Sequence, residues 1–329
     1  MAYERERATA IQAVLRACRL CRTVADALVS EETLAKKDKS PVTVADFGSQ
    51  AVIIHDLLAA FPSDPIVGEE DAGDLRMPEG DAIKNKVVEQ VAAIVPGLNE
   101  NSVLEAIDQG TYTGGAAGRF WTLDPIDGTK GFLRGDQYAV ALALIEDGVP
   151  VLGVLGCPNL PVDPSYPQGG LGCLFIAVKD QGAVMQPIEH ETEKPIAVTD
   201  VADPAQAAFC ESVESGHSSH NHSAQVAERL GVKVAPYRID SQAKYAAVSR
   251  GNASVYLRLP TRADYQEKIW DHAAGWRVVQ EAGGLVTDVT GKPLDFSLGR
   301  TLKNNKGVVA TNGKLHDQVI SAVRAVLGY

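Results

Sequence analysis

In the segment WTLDPIDGTKGF, residues 121 to 132, two aspartates stand three positions apart where an apolar run meets a glycine turn. Pro125 pushes Asp124 into extended backbone, and Gly128 permits a sharp turn after Asp127, so both carboxylates can point at one spot. Two like charges held together repel unless something positive joins them. Asp, Pro and Gly are also ordinary turn formers, and a plain turn accounts for this segment equally well by itself. Three further places repeat the pattern. Glu69 and Glu70 close the apolar run of IVGEED, Asp46 follows SPVTVA at an expected helix start, and Asp271 opens an expected helix in KIWDHAAG. An N-cap is the alternative role for Asp271. Carboxylates at strand ends and helix starts are how folds build a hard-cation site, and Mg²⁺ in particular takes oxygen ligands while keeping waters and a substrate phosphate.

The elements that would position these acids can be read from periodicity. Residues 5 to 29 repeat apolar side chains at helical spacing, with Arg16, Arg19 and Thr23 on the polar side. KKDKSP, residues 36 to 41, breaks that helix, and a second runs from about Ala45 to Ala60, with Asp46 in its first turn. Residues 81 to 95 read as another helix. The apolar stretch 138 to 158 divides around Asp147-Gly148, a hairpin signal, and a second hairpin turns around Lys179 to Gly182. The Pro/Gly-rich stretch 153 to 172 reads as a surface loop. Beyond Pro195 short strands such as VYLRL alternate with helices at 221 to 230 and 271 to 282. The expected division is therefore an α+β unit over 1–195 carrying most of the acids, and an α/β unit over 196–329 carrying Asp271.

Composition narrows the function classes. The chain has 329 residues, 45% hydrophobic and 22% charged, with a formal net charge of −11. That acidity disfavours nucleic acid and anionic membranes, but not an anionic substrate gathered by local cations. Charged residues begin at Glu4, and no run approaches the roughly 18 apolar residues of a membrane span. The expectation is a soluble, cytoplasmic protein without nucleic-acid or membrane partners. The five cysteines include a C-x-x-C pair, Cys18 and Cys21. Ile11, Val14, Cys18, Cys21, Ala25 and Leu28 fall on one helical face, so both thiols read as core residues, and no second pair completes a zinc site. The glycines of 148 to 156 lack the G-x-G-x-x-G spacing of a dinucleotide fold.

VGEED, DPIDGTKGF and WDHAAG, with SPVTVAD upstream, resemble the signatures of the inositol monophosphatase superfamily, the Mg²⁺-dependent, lithium-sensitive phosphomonoesterases, in the family's order. The resemblance implies a layered α-β-α-β-α sandwich, with an antiparallel sheet in the first unit, a mixed sheet in the second and a catalytic cleft between. It implies two or three Mg²⁺ ions. Glu69, Asp124 and the Ile126 carbonyl would hold one, Asp124, Asp127 and Asp271 a second, and Asp46 with Glu69 would flank a third. Thr129 would hydrogen-bond the attacking water, with Asp46 assisting its deprotonation.

DSQAKY, LRLP, ESGHSSH and YQEKIWDHAAG further resemble the 3′(2′),5′-bisphosphate nucleotidase branch. That branch implies that Thr129, His217, Ser241, Lys244, Arg258 and Asp271 contact the nucleotide. A bisphosphate carries a second, non-reacting phosphate, for which Arg258 offers a bidentate fork and Lys244 a point charge. Taken without the resemblance, Arg258 reads as a surface charge, Lys244 as a helix-surface lysine, and the histidines of HSSHNH as a loop or a fortuitous metal-like cluster. The implied reaction is hydrolysis of adenosine 3′,5′-bisphosphate to AMP by a monomeric enzyme that also accepts 3′-phosphoadenylyl sulfate and the 2′,5′ isomer, clearing a by-product of sulfate assimilation. The alternatives are an inositol monophosphatase, an inositol polyphosphate 1-phosphatase, or a Mg²⁺- and nucleotide-binding sensor without turnover.

Overall fold

The computed structural model describes residues 2–30, 40–213, 220–262 and 264–329. Two long helices, α1 (Glu4–Ser30) and α2 (Ser40–Ala60), open the chain and pack on each other. α2 starts earlier than its apolar stripe suggests. Proline is tolerated in a first helical turn, where its missing N–H has no intrahelical partner, so Pro41 begins this helix rather than breaking it. Asp46 therefore lies in the second turn of α2, not the first. Strand β1 (Ile66–Gly68) follows, then helices α3 (Asp81–Ile94) and α4 (Glu100–Asp108). The sequence reading had no counterpart for α4.

Strands β2 (Arg119–Asp127), β3 (Ala139–Glu146), β4 (Val149–Pro161), β5 (Leu171–Val178), β6 (Ala183–Pro187) and β7 (Lys194–Pro195) complete a seven-stranded sheet in chain order, with the short helix α5 (Thr129–Arg134) between β2 and β3. The β3–β4 hairpin turns through Asp147 and Gly148, both at positive φ (47° and 76°), as a two-residue I′-type turn requires. The sheet is antiparallel except at its edge, where β1 runs parallel to β2. The surface loop assigned to 153 to 172 is corrected, because β4 continues to Pro161. Its glycines are sites of close approach rather than turn signals. A Cβ on Gly153 would lie 2.6 Å from the Ala274 carbonyl, and one on Gly156 would strike the Cys18 sulfur.

The remaining chain builds a five-stranded mixed sheet from β8 (Phe209–Glu211), β9 (Tyr237–Arg238), β10 (Val255–Arg258), β11 (Leu285–Thr287) and β12 (Val308–Thr311), in the order β11-β12-β10-β8-β9. Helices α6 (His220–Arg229), α7 (Ala243–Ser249), α8 (Ala273–Glu281) and α9 (His316–Leu327) accompany it. Three apolar cores explain the stacking. One joins α1–α4 to the outer face of the first sheet, the second lies between the sheets around α7 and α8, and the third joins α6 and α9 to the far face of the second sheet. The result is an α-β-α-β-α sandwich. Cys18 and Cys21 are fully buried in the first core with free thiols that burial pushes up, so they pack rather than react. Among the described residues no helix is long and apolar enough to cross a membrane.

Candidate active site

Glu69 directly follows β1, and Gly68 pairs with Leu123 of β2, so Glu69 and Asp124 leave adjacent strands side by side. Asp124 and Asp127 would face opposite sides of a regular strand, because side chains alternate with a period of two. A bulge resolves this: Asp124 pairs with Ala141 while Asp127 pairs with Ala139, so β2 carries one extra residue and both acids turn the same way. Gly128 then turns the chain at φ 93°, and a Cβ there would lie 2.8 Å from that of Ser241.

These groups line a cavity of about 400 Å³. Glu69, Asp124, Ile126, Asp127, Thr129 and Asp271 lie on its walls, and so do Ser241, Lys244 and Arg258. Asp271 does not take the alternative role of an N-cap. α8 begins only at Ala273, and the Asp271 carboxylate instead accepts from Arg258 Nη2 at 3.1 Å. Asp46 does not line the cavity. It stands behind it on α2, where burial and then the charges of Glu70 and Glu69 hold its carboxyl well above the usual range. His217 lies outside the described residues.

Asp124 is 2% exposed, and among the described residues its Oδ1 has no hydrogen-bond partner. Burial, then Glu69, Asp127 and Asp271, push it well above the carboxylate range. Glu69 opens onto the cleft but is walled by protein, and burial followed by the Asp271 charge raises it to about 8. An orphaned buried carboxylate oxygen beside three further acids fits a hard cation. A tighter group, Glu267, Asp271 and His272, also has the compactness of a metal site. It already holds a cation, however. Arg258 Nε binds Glu267 at 2.8 Å, and His272 bridges Glu267 (3.0 Å) and the Tyr245 hydroxyl (2.7 Å). Burial would raise Glu267, but Arg258 and His272 overcome it and bring the carboxyl down to about 2.

The cations differ from their simplest readings. Arg258 ends β10 with its side chain 16% exposed and doubly ion-paired, so it is no surface charge. Lys244 sits on α7 but is 4% exposed. It lies 5.3 Å from the Tyr256 ring centroid and has no ion pair among the described residues. Burial lowers its pKa, while Asp127 opposes that shift. Ser241 holds a left-handed backbone (φ 64°), and its hydroxyl accepts from Ala243 N–H.

Sequence reasoning passed over two residues. Gln242 is buried, and it ties Asp127 to the residue that precedes Asp271. Its N–H donates to Asp127 Oδ2 at 2.5 Å, and its side chain donates to the Trp270 carbonyl at 2.9 Å. Glu267, which holds Arg258, stood in the quoted YQEKIWDHAAG segment but was given no role.

The Inositol monophosphatase family profile matches residues 2–327. Curated relatives include a 3′(2′),5′-bisphosphate nucleotidase of Schizosaccharomyces pombe, 47% identical over 99% of this chain and 97% of its own length. Another of the same name from Oryza sativa is 44% identical, over 98% and 94%. Among solved structures, an inositol monophosphatase from Anabaena superposes with a TM-score of 0.62 at 21% identity, covering 99% of this chain and 97% of that one. One from Zymomonas mobilis gives 0.63 at 21% identity, covering 98% and 99%.

Proposed function

We infer that this chain, which belongs to the inositol monophosphatase family, hydrolyses the 3′-phosphate of adenosine 3′,5′-bisphosphate, releasing AMP and phosphate. The observation that carries the reading is a cavity wall of both signs. Glu69, Asp124, Asp127 and Asp271 line it together with Arg258 and the buried Lys244, which has no ion pair among the described residues. A monoester would need only the acids and their metal ions, while a bisphosphate would also use the two side-chain cations.

The family is metal-dependent, and the proposed ions are two or three Mg²⁺. When bound they would lower the pKa of a water and stabilise the leaving alkoxide. Glu69, Asp124, Asp127, Asp271 and the Ile126 carbonyl would hold them. Thr129, exposed at the start of α5, is placed to orient the water, and Asp46 would act on that water from behind Glu69. Arg258, fixed by Glu267, and Lys244 would grip the non-reacting phosphate. Tyr265 and Leu133, exposed at the rim, offer apolar surface for the base. The proposed boundary near residue 195 places Asp271 across the cleft from the other acids. The enzyme would act in the cytoplasm as a monomer.

A phosphate-release screen tests the reading. Adenosine 3′,5′-bisphosphate, its 2′,5′ isomer and 3′-phosphoadenylyl sulfate should be hydrolysed with Mg²⁺ and not with EDTA, and well ahead of inositol 1-phosphate. A preference for the inositol ester would overturn the assignment.

A further inference from the structure

Glu69 follows β1 and Asp271 lies in the turn before α8, and Arg300, which is not among the residues lining the cavity, touches the segment of each. Its Nη2 donates to the Gly68 carbonyl at 2.5 Å, beside Glu69. Its Nη1 donates to the carbonyls of Gly110 (3.2 Å) and Tyr112 (3.0 Å), whose segment flanks β1. The guanidinium carbon lies 4.8 Å from the centroid of the Trp270 ring, and Trp270 precedes Asp271. The Arg300 main-chain carbonyl accepts from Ile269 N–H at 3.2 Å, and Leu302 N–H donates to the Glu267 carbonyl at 2.8 Å. One residue thus holds the Asp271 turn with its backbone and the Glu69 strand with its side chain. On the opposite flank of Glu69, Gln50 fixes the Glu70 peptide, donating to its carbonyl at 2.6 Å and accepting from its N–H at 3.1 Å.

A half-buried guanidinium that meets three carbonyls and a ring, with no carboxylate in ion-pair distance among the described residues, is a geometric device more than an electrostatic one. Its planar fork suits that task, and an ammonium cannot reproduce it. We propose that Arg300 is a positioning residue that sets the separation of Glu69 from Asp271 across the cleft and thereby the affinity of the site for divalent cations. The proposal rests on the reading of the acids as a Mg²⁺ site.

The test titrates Mg²⁺ into wild type, Arg300→Met and Arg300→Lys by calorimetry, alongside steady-state kinetics at saturating Mg²⁺. Arg300→Met should raise the half-saturating Mg²⁺ concentration about tenfold, as loss of a group that orients metal ligands does. At saturating metal the KM for adenosine bisphosphate should stay within about twofold of wild type, because the nucleotide contacts are untouched. Arg300→Lys should shift the metal titration about threefold, and it carries the test if the methionine variant fails to fold. Arg277→Met is the control: Arg277 bonds the Pro150 carbonyl at 2.7 Å away from the cavity, so this change should lower the melting temperature without moving the Mg²⁺ titration. Wild-type Mg²⁺ affinity in the folded Arg300 variants, with only the melting temperature lowered, overturns the proposal alone. Absence of saturable Mg²⁺ uptake by wild type overturns it together with the metal reading.

Discussion

Glu69 and Glu267 both act on Asp271, yet their carboxyls move in opposite directions, one up to about 8 and the other down to about 2. Burial raises both, so the difference lies in what meets them. Glu267 meets Arg258 and His272, and its charge is completed within the chain. Glu69 meets the acids Asp271, Asp124, Glu70 and Asp127. Near-identical chemistry thus separates a finished ion-pair network from a wall that calls for a cation from solution.

The strongest way to break that contrast is Asp124→Asn, which removes the most enclosed acid of the unfinished wall. Turnover should fall on the order of 10³-fold, roughly 4 kcal/mol of barrier, while the metal-free protein melts no lower than wild type because a repulsion has gone. Near-normal Mg²⁺-dependent activity would refute the metal assignment. Glu267→Gln attacks the finished side. Weakening one arm of a buried pair should cost about 3 kcal/mol, read as a lower urea midpoint at unchanged slope, and an unchanged midpoint would mean that Arg258 is satisfied without it. Lys244→Met is smaller. KM for the bisphosphate should rise about tenfold while that for a simple monoester holds, and equal rises would deny Lys244 a role at the second phosphate.

The smallest effect is the pH dependence of the metal-free protein. Glu69 is raised when folded, so the native state keeps a proton that the unfolded chain has released. Its contribution is fully present below about pH 4.5 and is lost as pH climbs through about 8. Glu267 is depressed, so its contribution is present above about pH 4.5 and is lost as pH falls through about 2. The melting temperature in EDTA should therefore slope downward from pH 5 to 8, and Mg²⁺ should remove that slope. A rising or flat profile in EDTA would contradict the crowding of the acids.

The acids were legible as a set, since each alone has an ordinary local use as a turn former or cap and only the four segments together carry the resemblance. Both hairpins and the change of rhythm after Pro195 were legible because turn chemistry and periodicity are local. What failed to show was the work of distant partners. Gln242 and Glu267 lie inside quoted signatures, yet nothing there shows what each holds, and Arg300 lies outside them all, because each acts by reaching another element. The bulge between Asp124 and Asp127 is equally silent, since it is defined by the neighbouring strand's register. Gly153 and Gly156 misled for a different reason. A glycine that makes room for a helix looks, in sequence, like one that makes a turn.

The parallel pairing of β1 with β2 has a kinetic consequence. The two strands are separated by α3 and α4, so their register forms only after a long loop has closed, a step that contributes late rather than early in folding. A cation held by Glu69 and Asp124 would then bind only after the rate-limiting barrier and would slow escape from the native basin without speeding entry. Stopped-flow refolding should proceed equally fast with and without Mg²⁺ while unfolding slows, and an accelerated refolding limb would place that edge pairing in the nucleus instead.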